Sequence, residues 1–282
     1  MKKFLLLAAV LAGLLGLLGL SGPAATQPHG VPDAMEGRLL VSGSSTMKPL
    51  IQAMARRFEE LHPRVRVEIS SGGSARGLAD VREGRVDVGM VARALVAAEQ
   101  DLRTLPIARD GVALLVHLDN PVPALSHAQV AALYSGVVTN WKPLGGRDEP
   151  ILSIAGEPGR GSQEIFAQYF GLSASQVHAT RTEGDNTARL QLLRDHPNAI
   201  GYLSVGEAER SVRAGAPLRL LAEDGVDASS RNVGKGDYPL VRPLTLVTQR
   251  QPGALARAFV AFCASSQVTD LIAAHDFVPY LD

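Results

Sequence analysis

Residues 38–50 read Arg38-Leu39-Leu40-Val41-Ser42-Gly43-Ser44-Ser45-Thr46-Met47-Lys48-Pro49-Leu50. A short apolar strand, 38–41, runs into a Gly/Ser/Thr turn, and the turn opens a helix over 49–61. Leu50, Met54, Phe58 and Leu61 share one stripe of that helix, while Arg56, Arg57, Glu59 and Glu60 fall largely off it. The same order recurs along the chain. Val65, Val67 and Ile69 alternate with Arg64, Arg66 and Glu68, as a half-buried strand does. Ser70-Ser71-Gly72-Gly73-Ser74-Ala75-Arg76-Gly77 follows and leads into a helix over 74–83. A strand at 151–154 precedes Gly159-Arg160-Gly161-Ser162 and a helix over 163–171. Further strands are expected at 86–91, 112–118, 199–203, 218–222 and 244–248, with a last helix over 254–274. Such alternation places the chain in the α/β class, with helices packed on mostly parallel sheets.

The three Gly/Ser turns share one chemistry. A helix start leaves backbone N–H groups unpaired and carries partial positive charge, so it attracts an anion. Glycine lets the backbone come close, and Ser and Thr hydroxyls add donors at the same place. One such turn is ordinary helix capping. Three in one chain, two with an arginine inside the turn, point to a small oxyanion held by several helix N-termini.

Composition narrows the alternatives. The 282 residues are enough for one large domain or two ordinary ones, and 46% hydrophobic with 20% charged residues is a globular profile. Lys plus Arg is 28 and Asp plus Glu is 28, so the basic excess on which nucleic-acid binders rely is absent, and no nucleic-acid partner is expected. A single cysteine, Cys263, excludes an intrachain disulfide framework and a cysteine-rich metal site. The seven histidines are scattered singly, without metal-ligand spacing. Gly156-Glu157-Pro158-Gly159-Arg160-Gly161-Ser162 has the glycine spacing of a P-loop, but Ser162 and Gln163 stand where Lys and Ser/Thr are needed. No dinucleotide fingerprint and no G-x-S-x-G elbow occurs. The expectation is a binding protein with no catalytic residues, no metal and no cofactor. Trp141, in Thr139-Asn140-Trp141-Lys142, is expected to be a packing anchor.

At the N-terminus, Lys2 and Lys3 precede an apolar run over 4–20 and a small-residue exit, Ser21-Gly22-Pro23-Ala24-Ala25. This reads as a secretory signal over 1–25, followed by a flexible leader over 26–37. No cysteine follows the run, so no lipid anchor is expected, and the mature chain is expected in the periplasm, with secretion beyond an outer membrane as the alternative.

The three loops, in this order, resemble those of the phosphate-binding receptors (PstS-type) of bacterial ABC phosphate importers. The resemblance runs from about residue 38 to residue 279. Beside the loops it rests on Val86-Asp87-Val88-Gly89-Met90, Asp110-Gly111-Val112-Ala113, Tyr134-Ser135-Gly136-Val137-Val138-Thr139-Asn140-Trp141, Ala199-Ile200-Gly201-Tyr202 and Tyr238-Pro239-Leu240-Val241-Arg242-Pro243-Leu244. It implies a two-lobed periplasmic-binding-protein fold of type II, with two mixed sheets flanked by helices and a hinge between the lobes. Lobe one would comprise 38–117 plus 231–282, and lobe two 118–230. The implied ligand is phosphate or a similar tetrahedral oxyanion, the implied partner a membrane-embedded ABC permease, and a monomer is expected.

Carried over position by position, Ser45, Thr46 and Ser74 would donate from one lobe, and Gly161 and Ser162 from the other. Two positions depart from the family. Ala92, in the turn after 86–90, stands where phosphate receptors often place an acidic or hydroxyl acceptor. Gly156 stands where the family has an arginine. Arg160 and Arg76 occupy a serine and a threonine position of the loops, and a guanidinium at either can hold an oxyanion through two parallel hydrogen bonds. Arg76 and Arg160 therefore join Ser45, Thr46, Ser74, Gly161 and Ser162 as the candidate ligand set. An exported phosphatase-like enzyme and a ligand-free relative on the same fold are the alternatives.

Overall fold

The computed structural model describes residues 35–280; the signal segment and the leader up to residue 34 lie outside them, and residues 36–37, read as leader, belong to the first strand. The strand that opens the reading is β1 (Glu36–Gly43). Its end explains the glycine there: Gly43 has φ +131°, and a Cβ on it would lie 2.3 Å from the Met90 carbonyl oxygen. The Ser44 N–H donates to that same oxygen at 2.9 Å, pinning the turn to the neighbouring strand end. Helix α1 (Lys48–Leu61) follows, burying Leu50, Ile51, Met54, Ala55 and Phe58; Leu61, read as part of the stripe, is exposed at the helix end.

The other strands are β2 (Arg64–Ile69), β3 (Val88–Val91), β4 (Arg103–His117), β5 (Leu152–Gly156), β6 (Arg181–Glu183), β7 (Ala199–Ser204), β8 (Leu218–Leu220), β9 (Val241–Thr248) and β10 (Val278–Pro279). The other helices are α2 (Ser74–Arg82), α3 (His127–Tyr134), α4 (Gly161–Tyr169), α5 (Asn186–Asp195), α6 (Val205–Arg213), α7 (Ser230–Lys235), α8 (Ala254–Cys263) and α9 (Thr269–Ala274). The main path of strands runs β2-β1-β3-β9-β4-β7-β5-β6, with β8 and β10 also paired to β4. It falls into two mixed half-sheets that share β4.

The expectation of mostly parallel pairing needs correction. Pairs β1–β2, β1–β3, β5–β6 and β5–β7 are parallel, as crossover helices require. Every pair made by β4 or β9 is antiparallel. These two long strands cross between two hydrophobic cores. Leu39, Val41, Leu50, Met54, Phe58, Ile107, Ala108, Leu244, Leu246 and Phe259 belong to one core. Val112–Val116, Trp141, Ile154, Phe166, Tyr202 and Leu240 belong to the other. The change of core falls between Ala108 and Val112 on β4, and between Leu240 and Leu244 around the start of β9. Trp141 is a buried anchor, its indole Nε1–H donating to the Asn198 carbonyl at 2.9 Å.

Two further elements differ from the reading. The first half of β4 was missed because Arg103, Pro106, Arg109 and Asp110 interrupt the apolar pattern; the register shifts between Pro106 and Ala108, the kind of bulge at which a strand tolerates proline. The last helix is not continuous over 254–274. It stops at Cys263 and resumes after a bend of 65°. The Ser265 hydroxyl donates to the Phe262 carbonyl at 2.8 Å, a local bond that competes with continuing the helix.

Candidate functional site

Four helix N-termini meet where the two cores face each other. Thr46 lies in the turn before α1, Ser74 is the first residue of α2, Gly161 and Ser162 open α4, and Asn186 opens α5. Their contacts close a ring. The Ala92 N–H donates to Ser74 Oγ at 3.1 Å, and Arg242 Nη1 donates to the Ala92 carbonyl at 3.4 Å. Arg242 Nη2 reaches Thr46 Oγ1 at 3.3 Å, and Asn186 Nδ2 reaches the same oxygen at 3.2 Å. Arg189 donates to Asn186 Oδ1 and, at 3.4 and 3.5 Å, to Ser162 Oγ. Gly161 completes the circuit: a Cβ there would lie 2.7 Å from both Ser74 Oγ and the Ala92 oxygen. A direct backbone bond, Ala75 N–H to the Gly159 carbonyl at 3.1 Å, and the Arg93–Glu164 ion pair also join the two sides.

The ring is built to donate. The oxygens of Thr46, Ser74 and Ser162 each already accept from a protein N–H. Among the described residues none of these three hydroxyl hydrogens is taken up by an acceptor. A hydroxyl whose lone pairs are engaged by N–H groups has its hydrogen left to give. Together with the guanidinium and the helix N-termini, these hydrogens suit an anion rich in acceptor oxygens.

The charges are unequal. Arg242 is fully compensated by Asp110, through Nη2 at 2.8 Å and Nε at 3.1 Å, with both side chains buried. Arg189 is 1% exposed and makes no ion pair with any carboxylate among the described residues. It donates to Ser162, to Asn186 and to the Tyr202 carbonyl at 3.0 Å, and its Nε has no partner among the described residues. The Tyr202 ring lies 5.7 Å away, and burial pushes that phenol up to about 12. Burial lowers the Arg189 pKa from the usual guanidinium value. The carboxylate that acts on it, Glu207, is reached only through Asn186, whose Nδ2 donates to Glu207 Oε2 at 2.7 Å. Burial in turn raises the Glu207 carboxyl.

Of the residues singled out in the sequence, Thr46, Ser74, Gly161 and Ser162 stand in the ring, and Ser45 stands beside it, with Oγ 3.4 Å from Asn186 Oδ1. Arg76 is not brought to the ring. It is one turn from Asp80 on α2, pairs with it through Nε at 2.7 Å, and is 61% exposed. Arg160 pairs with Glu157 at 3.0 Å and stands near enough to Arg189 to disfavour its charge. The buried guanidinium on Ser162 and Asn186 is Arg189, to which the sequence reading gives no role. A Cβ on Gly156 would lie 3.4 Å from Arg189 Nη1, so a guanidinium from α5 fills the space that a side chain at 156 would enter. Asn186, Arg242, Asp110 and Glu207 were also given no role. The available signal was Gly184-Asp185-Asn186-Thr187, a fourth polar helix start in which Asp185 accepts the Thr187 N–H at 2.8 Å, with Arg189 three residues on from Asn186.

Comparison with known proteins follows the same direction. A PBP superfamily domain matches residues 22–267. The phosphate-binding protein PstS of Bacillus subtilis (strain 168) is 30% identical over 254 residues, covering 87% of this chain and 82% of that protein. Among solved structures, a putative phosphate ABC transporter substrate-binding protein with bound phosphate from Clostridium perfringens superposes with a TM-score of 0.79 at 30% identity, over 86% of this chain and 99% of that one. An ABC-type phosphate transport receptor from Vibrio cholerae gives 0.71 at 27% identity, over 85% and 99%.

Proposed function

The chain belongs to the PstS family of phosphate-binding proteins within the PBP superfamily, and on that premise we propose that it is an exported receptor that captures phosphate between two lobes and hands it to an ABC-type permease. The lobes follow the two cores, with β4 and β9 as the crossing strands. The ligand is held by Arg189 and by the hydroxyls of Ser45, Thr46, Ser74 and Ser162, with the backbone of Gly161 against it. Arg160 stands near Arg189, and Arg76 is left out.

The observation that carries this reading is the buried Arg189. Removing an ion from water costs several kcal/mol, and the cost is recovered only by a partner of opposite charge in good geometry. Among the described residues no carboxylate pairs with Arg189, and the ring in which it stands carries the hydroxyls of Thr46, Ser74 and Ser162. An oxyanion satisfies both. Because the ring draws on both cores, such a ligand binds the closed arrangement more tightly than an open one, and that difference alone can shift the lobes. Receptor work of this kind uses no nucleophile and no bond cleavage.

Melting the anion-stripped protein with and without phosphate tests the reading. At about 100 times the dissociation constant a ligand of the folded state adds about 2.7 kcal/mol, which for a chain of this size raises the melting temperature by about 5–11 °C. No rise with phosphate would remove the proposal, and release of nitrophenol from an aryl phosphate would instead mark an enzyme on this fold. A narrower expectation concerns closure. Gly161→Ala sets a methyl 2.7 Å from the Ala92 carbonyl, a backbone atom that cannot swing aside. Overpacking of that kind costs about 1–3 kcal/mol, so calorimetry should show phosphate affinity lowered by about 5- to 150-fold.

A further inference from the structure

We propose that Asp276 is a positioning residue for the anion site: its charge clamps α6 to the turn at 275–277, and so holds the two cores in the arrangement that assembles the ring. The inference rests on the receptor reading above. It adds a contact, made by the protein alone, that sets how readily the ring forms.

Local rules argue against an acid at 276. Helix α9 ends at Ala274; the Asp276 N–H donates to the Ala273 carbonyl at 2.9 Å and the Phe277 N–H to the Ile272 carbonyl at 3.2 Å. A helix that ends this way puts one residue in the left-handed region, where glycine or asparagine is usual, and Asp276 has φ +54°. The carbonyl end of a helix also disfavours negative charge. The charge is used by another element instead. Asp276 pairs with Arg213 and, at 3.6 Å, with Arg210, both on α6. Arg210 also donates through Nη1 to the His275 carbonyl, and its guanidinium lies 5.7 Å from the Phe277 ring. Gly206, in the first turn of α6, allows the approach: a Cβ there would lie 2.8 Å from the carbonyl oxygens of both His275 and Asp276.

The clamp joins the two cores. Ile272 and Phe277 belong to the core that holds Leu39 and Phe58, whereas Val205 and Ala208 of α6 belong to the core that holds Trp141 and Tyr202. It sits next to the pairing of β10 with β4, Val278 against Arg109, where β4 passes from one core to the other. From there the first turn of α6 reaches the ring by two routes. The Gly206 N–H donates to Asp110 Oδ1 at 3.4 Å, and Asp110 holds Arg242, which reaches Thr46. Glu207 Oε2 accepts from Asn186 Nδ2 at 2.7 Å, and Asn186 also contacts Thr46 and Arg189. A contact between the cores that is made when the ring is assembled favours that arrangement. Apparent affinity scales with the fraction of molecules in the competent arrangement. Losing the clamp therefore weakens anion binding although Asp276 never touches the anion.

Two variants of Asp276 separate its charge from its place in the turn. Asparagine suits the left-handed position and carries no charge; glutamate keeps the charge and suits the position less well. Phosphate is titrated by calorimetry at pH 8 into the wild-type chain, Asp276→Asn and Asp276→Glu, and each anion-free protein is melted. Asp276→Asn should lower phosphate affinity by about 2- to 30-fold. Its melting temperature should stay within about 4 °C of wild type, because the lost ion pairs are partly exposed and the helix end is relieved of an acid. Asp276→Glu should show the reverse, a lower melting temperature with phosphate affinity closer to wild type than that of Asp276→Asn. A residue that serves only the turn would leave affinity intact in Asp276→Asn, and that result overturns the proposal. Affinity lost equally in both variants overturns it too, since the charge would then have no part. A wild-type chain that binds no phosphate overturns the receptor reading itself, and the proposal with it.

Discussion

Arg189→Met is expected to weaken phosphate binding by a factor of about 30 to several thousand while leaving the melting temperature of the anion-free protein unchanged or higher. The two effects have one cause. In the complex the guanidinium and the anion form a buried, hydrogen-bonded charge pair, and truncating one partner of such a pair costs about 2–5 kcal/mol. Without the anion the same guanidinium is a buried cation with no ion-pair partner and an unsatisfied Nε among the described residues. An apolar side chain of similar reach removes that desolvation cost and keeps much of the packing against Tyr202. Calorimetric titration and melting of the same sample read both halves. An Arg189 that served only as a packing or structural residue would show the reverse pattern, a lower melting temperature with affinity intact.

Arg242→Met should do the opposite. Arg242 and Asp110 are the charge-balanced pair beneath the ring, where both crossing strands pass. Removing the arginine leaves a buried carboxylate whose remaining hydrogen-bond donor among the described residues is the Gly206 N–H at 3.4 Å. Breaking a buried pair from one side costs about 3–5 kcal/mol, or about 6–20 °C in melting temperature for a chain of this size. Replacing both partners, Asp110→Leu with Arg242→Met, should recover most of that loss, because a well-packed apolar pair leaves no uncompensated charge. Equal losses in the single and double variants would show that the pair acts through packing and not through charge.

The sequence carries much of the site because its loops obey local rules. A strand that ends in glycine and serine and restarts as a helix is readable wherever the strand is long and apolar enough to be seen, and α1, α2 and α4 meet that condition. Helix α5 does not. It follows β6, only Arg181–Glu183, which has no apolar alternation, so Gly184-Asp185-Asn186-Thr187 passes for an ordinary capped helix. Arg189 was hidden for a different reason. An arginine in a polar helix reads as solvated, and nothing local reveals that it is buried without a carboxylate partner among the described residues. Arg76 drew attention because it lies inside a predicted loop, yet four residues along a helix is also the spacing of a surface ion pair, and Asp80 takes it. Asp110 and Arg242 stood in recognisable motifs without a role, because the two strands that bring them together pair across 132 residues. Pairing at that distance is a property of the sheet, and no window of sequence contains it.

The central claim is that this chain holds one phosphate in a ring of donors centred on Arg189. Calorimetric titration of phosphate into the mature protein, stripped of bound anion, at pH 8 tests it most directly. One site with a micromolar or lower dissociation constant, about 8 kcal/mol or more of binding free energy, is the predicted result. Absence of heat with phosphate, together with an unchanged melting temperature, would contradict it.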